Sequence, residues 1–336
     1  MAPYLLLGVF LWVSGILSHN KKFYGLVYIF LLVVVSLFAA LRGDFATDYN
    51  NYKWLYDATA NLGFHSFVSG SVAKEPGFSL FIIIFDMLFG SFEVFMGAVH
   101  FAIVFLLGYV FYRLTSYSWL LLFLFVTIGP FYASFNITRQ IIAASLLFFF
   151  YFIAHQSYSR FLLGVLFASF FHLSSVFLAP LYLFRLPFLL ALFGLTLFLI
   201  IFFIFRDPII AAGLIIYGSY ELNEDALSFG NAVLGIAAFL VSLFLYLSGW
   251  VRRRDLLNAS LLFFVFSLLS LEYGLLNRFS YFFATFFCFL LVVMVEKNPS
   301  ASQRLFLCML IGIFGVLYNY MTLRGSGYDP YYTIFG

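Results

Sequence analysis

Long apolar runs separated by short polar breaks set the pattern of this chain. A bilayer crossing needs about 20 apolar residues in a helix. By that measure the runs near 3–18, 23–41, 92–112, 117–134, 138–154, 161–184, 187–205, 229–250, 256–276, 279–295 and 305–320 are predicted transmembrane helices. A shorter piece, 76–90, is interrupted by Asp86 and is either a short span or a re-entrant hairpin, so the count is eleven or twelve. The runs are continuous where a membrane β-barrel would alternate. No internal repeat or soluble domain stands out. The predicted fold class is all-α: one polytopic transmembrane helical bundle occupying residues 1–336.

Two breaks depart from the greasy background. Residues 42–75 carry seven charges in 34 positions, and 206–228 carry five more together with Tyr217 and Tyr220. Orientation rests on basic clusters in short loops. Lys21–Lys22, Arg252–Arg254 and the Lys297/Arg304 loop are predicted to face the cytoplasm, which puts 42–75 and 206–228 outside as extracytoplasmic loops. A twelve-span count also puts both chain ends outside, and it puts Arg139 on the cytoplasmic side.

Composition sharpens this picture. The 336 residues are 65% hydrophobic and 9% charged, with a mean hydropathy of +1.07. Soluble domains carry about 25% charged residues, so a water-soluble protein is excluded. The net charge of +3 is too small to argue for nucleic acid. Cys288 and Cys308 both lie inside apolar runs and suggest neither a disulfide nor a metal site. The first run has no basic region before it and no small-residue cleavage signal, and is read as a retained span.

Candidate chemistry gathers at the ends of the apolar runs. In "LRGDFATDYNNYKWLYD" (41–57), Thr47 or Asp48 caps a predicted helix running to about Leu62. Tyr49, Tyr52 and Tyr56 then share one face. Such a helix is either an interfacial aromatic belt or a carbohydrate platform, with Asp44 and Asp48 accepting hydroxyls. In "AKEPGFSL", Glu75 precedes Pro76 as either a dipole-capping carboxylate or a general base. "TRQIIAAS" sets Arg139 and Gln140 at a span entrance. There a guanidinium either snorkels or clamps a phosphate with its planar fork. His172 of "FHLSS" is an interhelical hydrogen-bonder or a proton acceptor, and its mid-span position makes it look too deep for chemistry. "EYGLLNRFSYFF" adds Glu272, Asn277, Arg278 and Tyr281; Arg278 either pairs with Glu272 or binds phosphate.

The order of these segments carries more than any one of them. "RGD…TDY..Y", "EPGF", "TRQIIAAS", "FH.S" and "NR.SYFF", with "PYY" at 330–332, resemble the EpsG-like branch of bacterial polysaccharide polymerases, related to the Wzy O-antigen polymerases. The resemblance covers about residues 40–290. It implies a metal-independent glycosyltransferase with a GT-C-like architecture in the bacterial cytoplasmic membrane. Such an enzyme joins oligosaccharide repeat units carried on undecaprenyl diphosphate at the outer face, making O-antigen, capsule or exopolysaccharide. Its expected partners are the lipid-linked oligosaccharide, the bilayer, a chain-length regulator and a flippase. On this reading Arg42, Arg139 and Arg278 bind the diphosphate, and Asp48, Glu75 or His172 takes the acceptor proton. Asp44, Tyr49, Tyr52, Gln140, Tyr217, Tyr220 and Tyr281 contact glycan. A single base and an activated donor imply inversion at the anomeric carbon. No cofactor is expected, and no nucleotide-binding motif is visible. The competing readings are a lipid-linked oligosaccharide flippase, which would be expected to show repeats, and an O-antigen ligase, which would be expected to have a large late loop.

Overall fold

Inside a bilayer every backbone N–H and C=O must find its partner within the protein, which leaves uninterrupted apolar sequence little choice but helix. The computed structural model describes residues 2–19, 21–44, 48–70, 72, 75–128, 130–153, 157–208, 228–272, 274–323, 331 and 333. It is that of a polytopic helical membrane protein. Among the described residues four helices are long and apolar enough to cross a membrane, and seven shorter apolar helices accompany them. The chain divides into two units, Met1–Pro180 with Pro299–Gly336, and Leu181–Asn298.

The first unit begins with α1 (Ala2–Ser18) and α2 (Tyr24–Ala40), then α3 (Tyr49–Leu62), α4 (Phe64–Ser69) and α5 (Pro76–Phe89). It continues with α6 (Phe92–Leu114), α7 (Ser118–Thr127), α8 (Thr138–Phe152) and α9 (Tyr158–Ser169), and is closed by the last helix of the chain, Ala301–Leu323. All ten residues of α7 are buried. Small residues let its neighbours come close: a Cβ on Gly15 would lie 2.2 Å from the Trp119 ring, and one on Gly315 of the last helix 2.7 Å from Phe123. Helix α6 runs antiparallel to α2, since Gly97 lies against Ala40 while Leu32 fills the space at Gly108. The Tyr28 hydroxyl donates to the Gly108 carbonyl at 3.0 Å.

This packing gives the unit two ends. At one, His19 lies on the Tyr117 ring at 4.3 Å and the Tyr24 hydroxyl shares a hydrogen bond with Ser118. Lys21, Lys22, Arg113, Arg160 and Arg304 fall at this end, beside the helix termini that meet there. At the other end lie Arg42, α3, α4, α5, Arg139 and His172.

Helix α5 bears on the two alternatives for 76–90: it behaves as a re-entrant piece would in the count of crossings, but it is a single helix and not a hairpin. Its 14 residues span about 21 Å, short of the roughly 30 Å hydrocarbon core. It lies along α3: Phe78 near its start packs on Tyr52 (6.1 Å), and Asp86 near its end accepts a hydrogen bond from the Tyr56 hydroxyl at 2.9 Å. Phe92, the first residue of α6, meets Tyr49 and Tyr56 edge-on. Residues 76–90 therefore add no crossing. Helices α6 and α7 carry the chain away and back, so Arg139 stands on the same side as Glu75. The twelve-span count, which set Glu75 and Arg139 on opposite sides of the membrane, is corrected accordingly.

The predicted 161–184 span is also broken. Helix α9 ends at Ser169, and the chain resumes as a 3-10 segment, Leu173–Arg185. His172 sits in the break, its N–H bonded back to the Ala168 carbonyl at 3.0 Å.

The second unit comprises α10 (Phe188–Ile204), α11 (Ser228–Leu247), α12 (Arg254–Leu269) and α13 (Gly274–Glu296); the last helix of the chain is α14. Phe266 of α12 stacks on Phe279 and Phe283 of α13, and α11 brings Gly235 against Ser267. Asn231 donates to Asn277 at 2.6 Å, an interhelical polar tie of the kind that binds membrane helices together. Arg206 pairs with Glu272 at 3.4 Å at this end of the unit, and Arg253 forks onto Asp255 at the other. Cys288 and Cys308 are buried free thiols.

Candidate active site

The site is built where α5 begins. Pro76 occupies the first turn of α5, where its missing N–H is not needed, and it holds Glu75 in the extended region (φ −99, ψ 107). Gly77 follows because nothing larger fits. Its N–H donates to the Phe170 carbonyl at 2.9 Å, and a Cβ there would lie 2.8 Å from that oxygen. The end of α9 and the start of α5 are thereby locked together, and Glu75 and His172 are carried into contact.

Glu75 divides its carboxylate between two partners. Arg139 Nη1 donates to Glu75 Oε2 at 2.6 Å, and His172 Nδ1 stands 3.4 Å from Oε1. The first is a short charge-assisted hydrogen bond; the second is a looser electrostatic contact. Burial alone would raise the affinity of Glu75 for a proton, but the His172 imidazole and the Arg139 guanidinium together hold it below the ordinary carboxylate value. The Glu75 side chain is 9% exposed, His172 18% and Arg139 28%, so the cation is the most accessible of the three. Tyr52 supports Arg139 twice: its hydroxyl accepts a long bond from the Arg139 backbone N–H (3.4 Å), and its ring lies 5.9 Å from the guanidinium. Gln140 is buried beside it on α8.

Arg42 stands at the same end of the unit but within the protein. It is 3% exposed, its guanidinium lies 4.5 Å over the Phe135 ring, and its backbone bridges to Thr333. Tyr331 donates to the Phe38 carbonyl at 2.6 Å and stacks on Phe38. Burial pushes the Tyr331 phenol up to about 12, partly offset by Arg42.

Helix α3 begins at Tyr49 and ends at Leu62, as its sequence predicts. Asp48 holds the N-cap position but makes no capping bond; it accepts from the Asn51 side chain at 3.2 Å. Asp44 is exposed. Tyr49, Tyr52 and Tyr56 share one face, and that face is buried against α5 and α6. The Tyr49 and Tyr56 phenols are both raised, chiefly by burial, with Glu93 adding to the shift at Tyr49 and Asp86 at Tyr56.

In the second unit Arg278 and Tyr281 lie half-buried near the start of α13, beside the Asn231–Asn277 tie. Tyr217 and Tyr220 lie outside the described residues. Thus the structure joins Glu75, Arg139, His172 and Tyr52 directly. It adds two residues that sequence reasoning missed in a site role: Gly77, signalled only by the unusual "EPG" at a helix start, and Phe135, which carries Arg42. His172, which looked too deep, is within reach because the helix before it stops.

A model of the EpsG family matches residues 25–333, nearly the whole chain. No curated protein and no solved structure matches the sequence.

Proposed function

The chain belongs to the EpsG family, a Wzy-like polymerase family, and from that premise we propose that it polymerises undecaprenyl-diphosphate-linked oligosaccharide repeat units at the outer face of the bacterial cytoplasmic membrane. A polysaccharide-polymerase activity of the glycosyltransferase type goes with the family. The observation that carries the finer reading is the Glu75–Arg139–His172 cluster: an accessible guanidinium, a mostly buried carboxylate and an imidazole at one rim of the helix bundle.

The outward orientation is supported by charge. Lys21, Lys22, Arg113, Arg160 and Arg304 lie at the end opposite the cluster, and basic residues favour the cytoplasmic side.

In the proposed reaction Arg139 holds the donor's diphosphate, which carries two to three negative charges and gains more as the glycosidic bond breaks. Such stabilisation in a site poor in water is worth about 10²–10³ in rate per donor. Glu75 accepts the proton of the acceptor hydroxyl, a contribution of about 10²–10⁴. The acceptor oxygen forms its bond to the anomeric carbon. The bond from that carbon to the phosphate oxygen breaks with its electron pair, and undecaprenyl diphosphate leaves. A single displacement inverts the anomeric centre. His172 holds the second carboxylate oxygen and keeps the base oriented. Asp44, exposed just before α3, is a glycan contact of this reading.

The test uses purified protein and lipid-linked repeat units in detergent, where sidedness is lost. Ladders of longer glycan with release of undecaprenyl diphosphate are expected. Unchanged substrate overturns the reading and returns the flippase to first place.

A further inference from the structure

The Arg139 guanidinium is already occupied by an anion that belongs to the protein. Glu75 reaches it through one carboxylate oxygen at 2.6 Å while the other oxygen faces His172 across 3.4 Å. The two partners come from separate places in the chain, Arg139 from the start of α8 and His172 from the break after α9. While it holds Arg139, the carboxylate is a weaker acceptor for the proton of an incoming hydroxyl, because the guanidinium favours its ionised form. Arg139 is also the most exposed of the three, at 28% of its side chain, and is approachable without unfolding the cluster.

We propose that Glu75 is a stand-in ligand for Arg139, displaced when the donor's diphosphate arrives, so that donor binding itself frees the base. This rests on the reading above. The exchange is favourable because a diphosphate brings two to three charges and several oxygens that match the planar guanidinium fork, against the single charge of a carboxylate. Once Arg139 turns to phosphate, Glu75 keeps His172 as its neighbour in this cluster. Burial then weighs more heavily, and its hold on a proton strengthens. Addition is therefore ordered, donor before acceptor. Without a donor in place, the carboxylate stays paired with Arg139 and is the weaker base toward stray hydroxyls or water.

The experiment measures inorganic pyrophosphate binding calorimetrically to the full-length protein in detergent, with undecaprenyl diphosphate as competitor. Glu75→Gln removes the competing charge at nearly constant shape and should tighten pyrophosphate about tenfold, the scale of one charge-assisted contact. Glu75→Asp, too short to span to Arg139, should tighten it in the same direction and serves if Glu75→Gln does not elute as a monodisperse species. Affinity that is unchanged or weaker in both variants overturns the exchange. Arg139→Gln should abolish binding. If Arg139→Gln binds like the wild type, the diphosphate-clamp reading itself fails; if binding is lost there but Glu75→Gln is not tighter, only the exchange fails. Failure of undecaprenyl diphosphate to compete would mark the site as one for free phosphates and overturn its role as the donor's headgroup site.

Discussion

Replacing Gly77 by alanine adds one methyl group and tests whether the junction of α5 with α9 positions the site. The new Cβ would fall 2.8 Å from the Phe170 carbonyl oxygen, 2.9 Å from the Phe170 Cβ and 3.0 Å from its carbonyl carbon. Ordinary contact begins at 3.4 Å, so the start of α5 has to retreat by about 0.6 Å from a backbone that cannot swing aside. Retreat lengthens the Gly77–Phe170 hydrogen bond, now 2.9 Å, with a cost of about 1 kcal/mol. Overpacking adds about 1–3 kcal/mol. Glu75 moves with the helix start and loses its alignment with His172 and Arg139. A misplacement approaching 1 Å in a catalytic constellation costs about 10²-fold in rate. Glycan ladders from lipid-linked repeat units, read against Tm in the same detergent, report both effects. The control is Gly194→Ala on α10, where a Cβ meets nothing within 4 Å; it should be neutral or gain up to about 1 kcal/mol from helix propensity. A Gly77→Ala protein with wild-type Tm and wild-type ladders would refute the reasoning.

Three further outcomes follow from the same geometry. Glu75 is held below its ordinary value of 4.5 in the folded protein, so its ionised form adds stability that is fully present above pH 4.5 and lost as pH falls through the depressed folded value. The Tm advantage of wild type over Glu75→Gln should therefore be flat from pH 7 to about 5 and shrink below 4.5; an advantage that grows on acidification would contradict the pairing. Tyr56→Phe leaves the Asp86 carboxylate without the phenol that donates to it at 2.9 Å and should cost about 1 kcal/mol, measured by thermal or denaturant unfolding. Gly15→Ala drives a methyl into Trp119, 2.2 Å away in the fully buried α7, and should cost about 1–3 kcal/mol with a visible change in tryptophan fluorescence.

Much of the fold was legible because lipid solvation imposes one pattern on long apolar runs. Helices α1, α2, α6, α10 and α11 begin and end within three residues of where hydropathy places them, and the tyrosine face of α3 was readable from its spacing. Hydropathy measures the length of an apolar run but not its direction. Helix α5 is apolar enough to suggest a span, yet it lies along α3 because Asp86 finds Tyr56 and Phe78 finds Tyr52. The break before His172 was hidden for a similar reason. Gly77 takes up the Phe170 carbonyl from far along the chain, a tertiary contact that leaves no local mark. The segments that hold Glu75, Arg139 and His172 were each recognisable as polar interruptions, but their convergence was not. It depends on counting crossings correctly, and α5 alters that count.

The central claim is that the Glu75–Arg139–His172 cluster is the reaction centre and not a brace between helices. Removing Arg139 leaves Glu75 nine-tenths buried with His172 remaining. Breaking a fully buried pair costs about 3–5 kcal/mol; partial exposure and the remaining imidazole reduce this to about 2 kcal/mol. The most direct measurement is the single-turnover rate of glycan transfer by Arg139→Ala protein that elutes as a folded, monodisperse species. A rate at least about 100-fold below wild type is expected, whereas a folded variant that transfers glycan within threefold of wild type would contradict the claim.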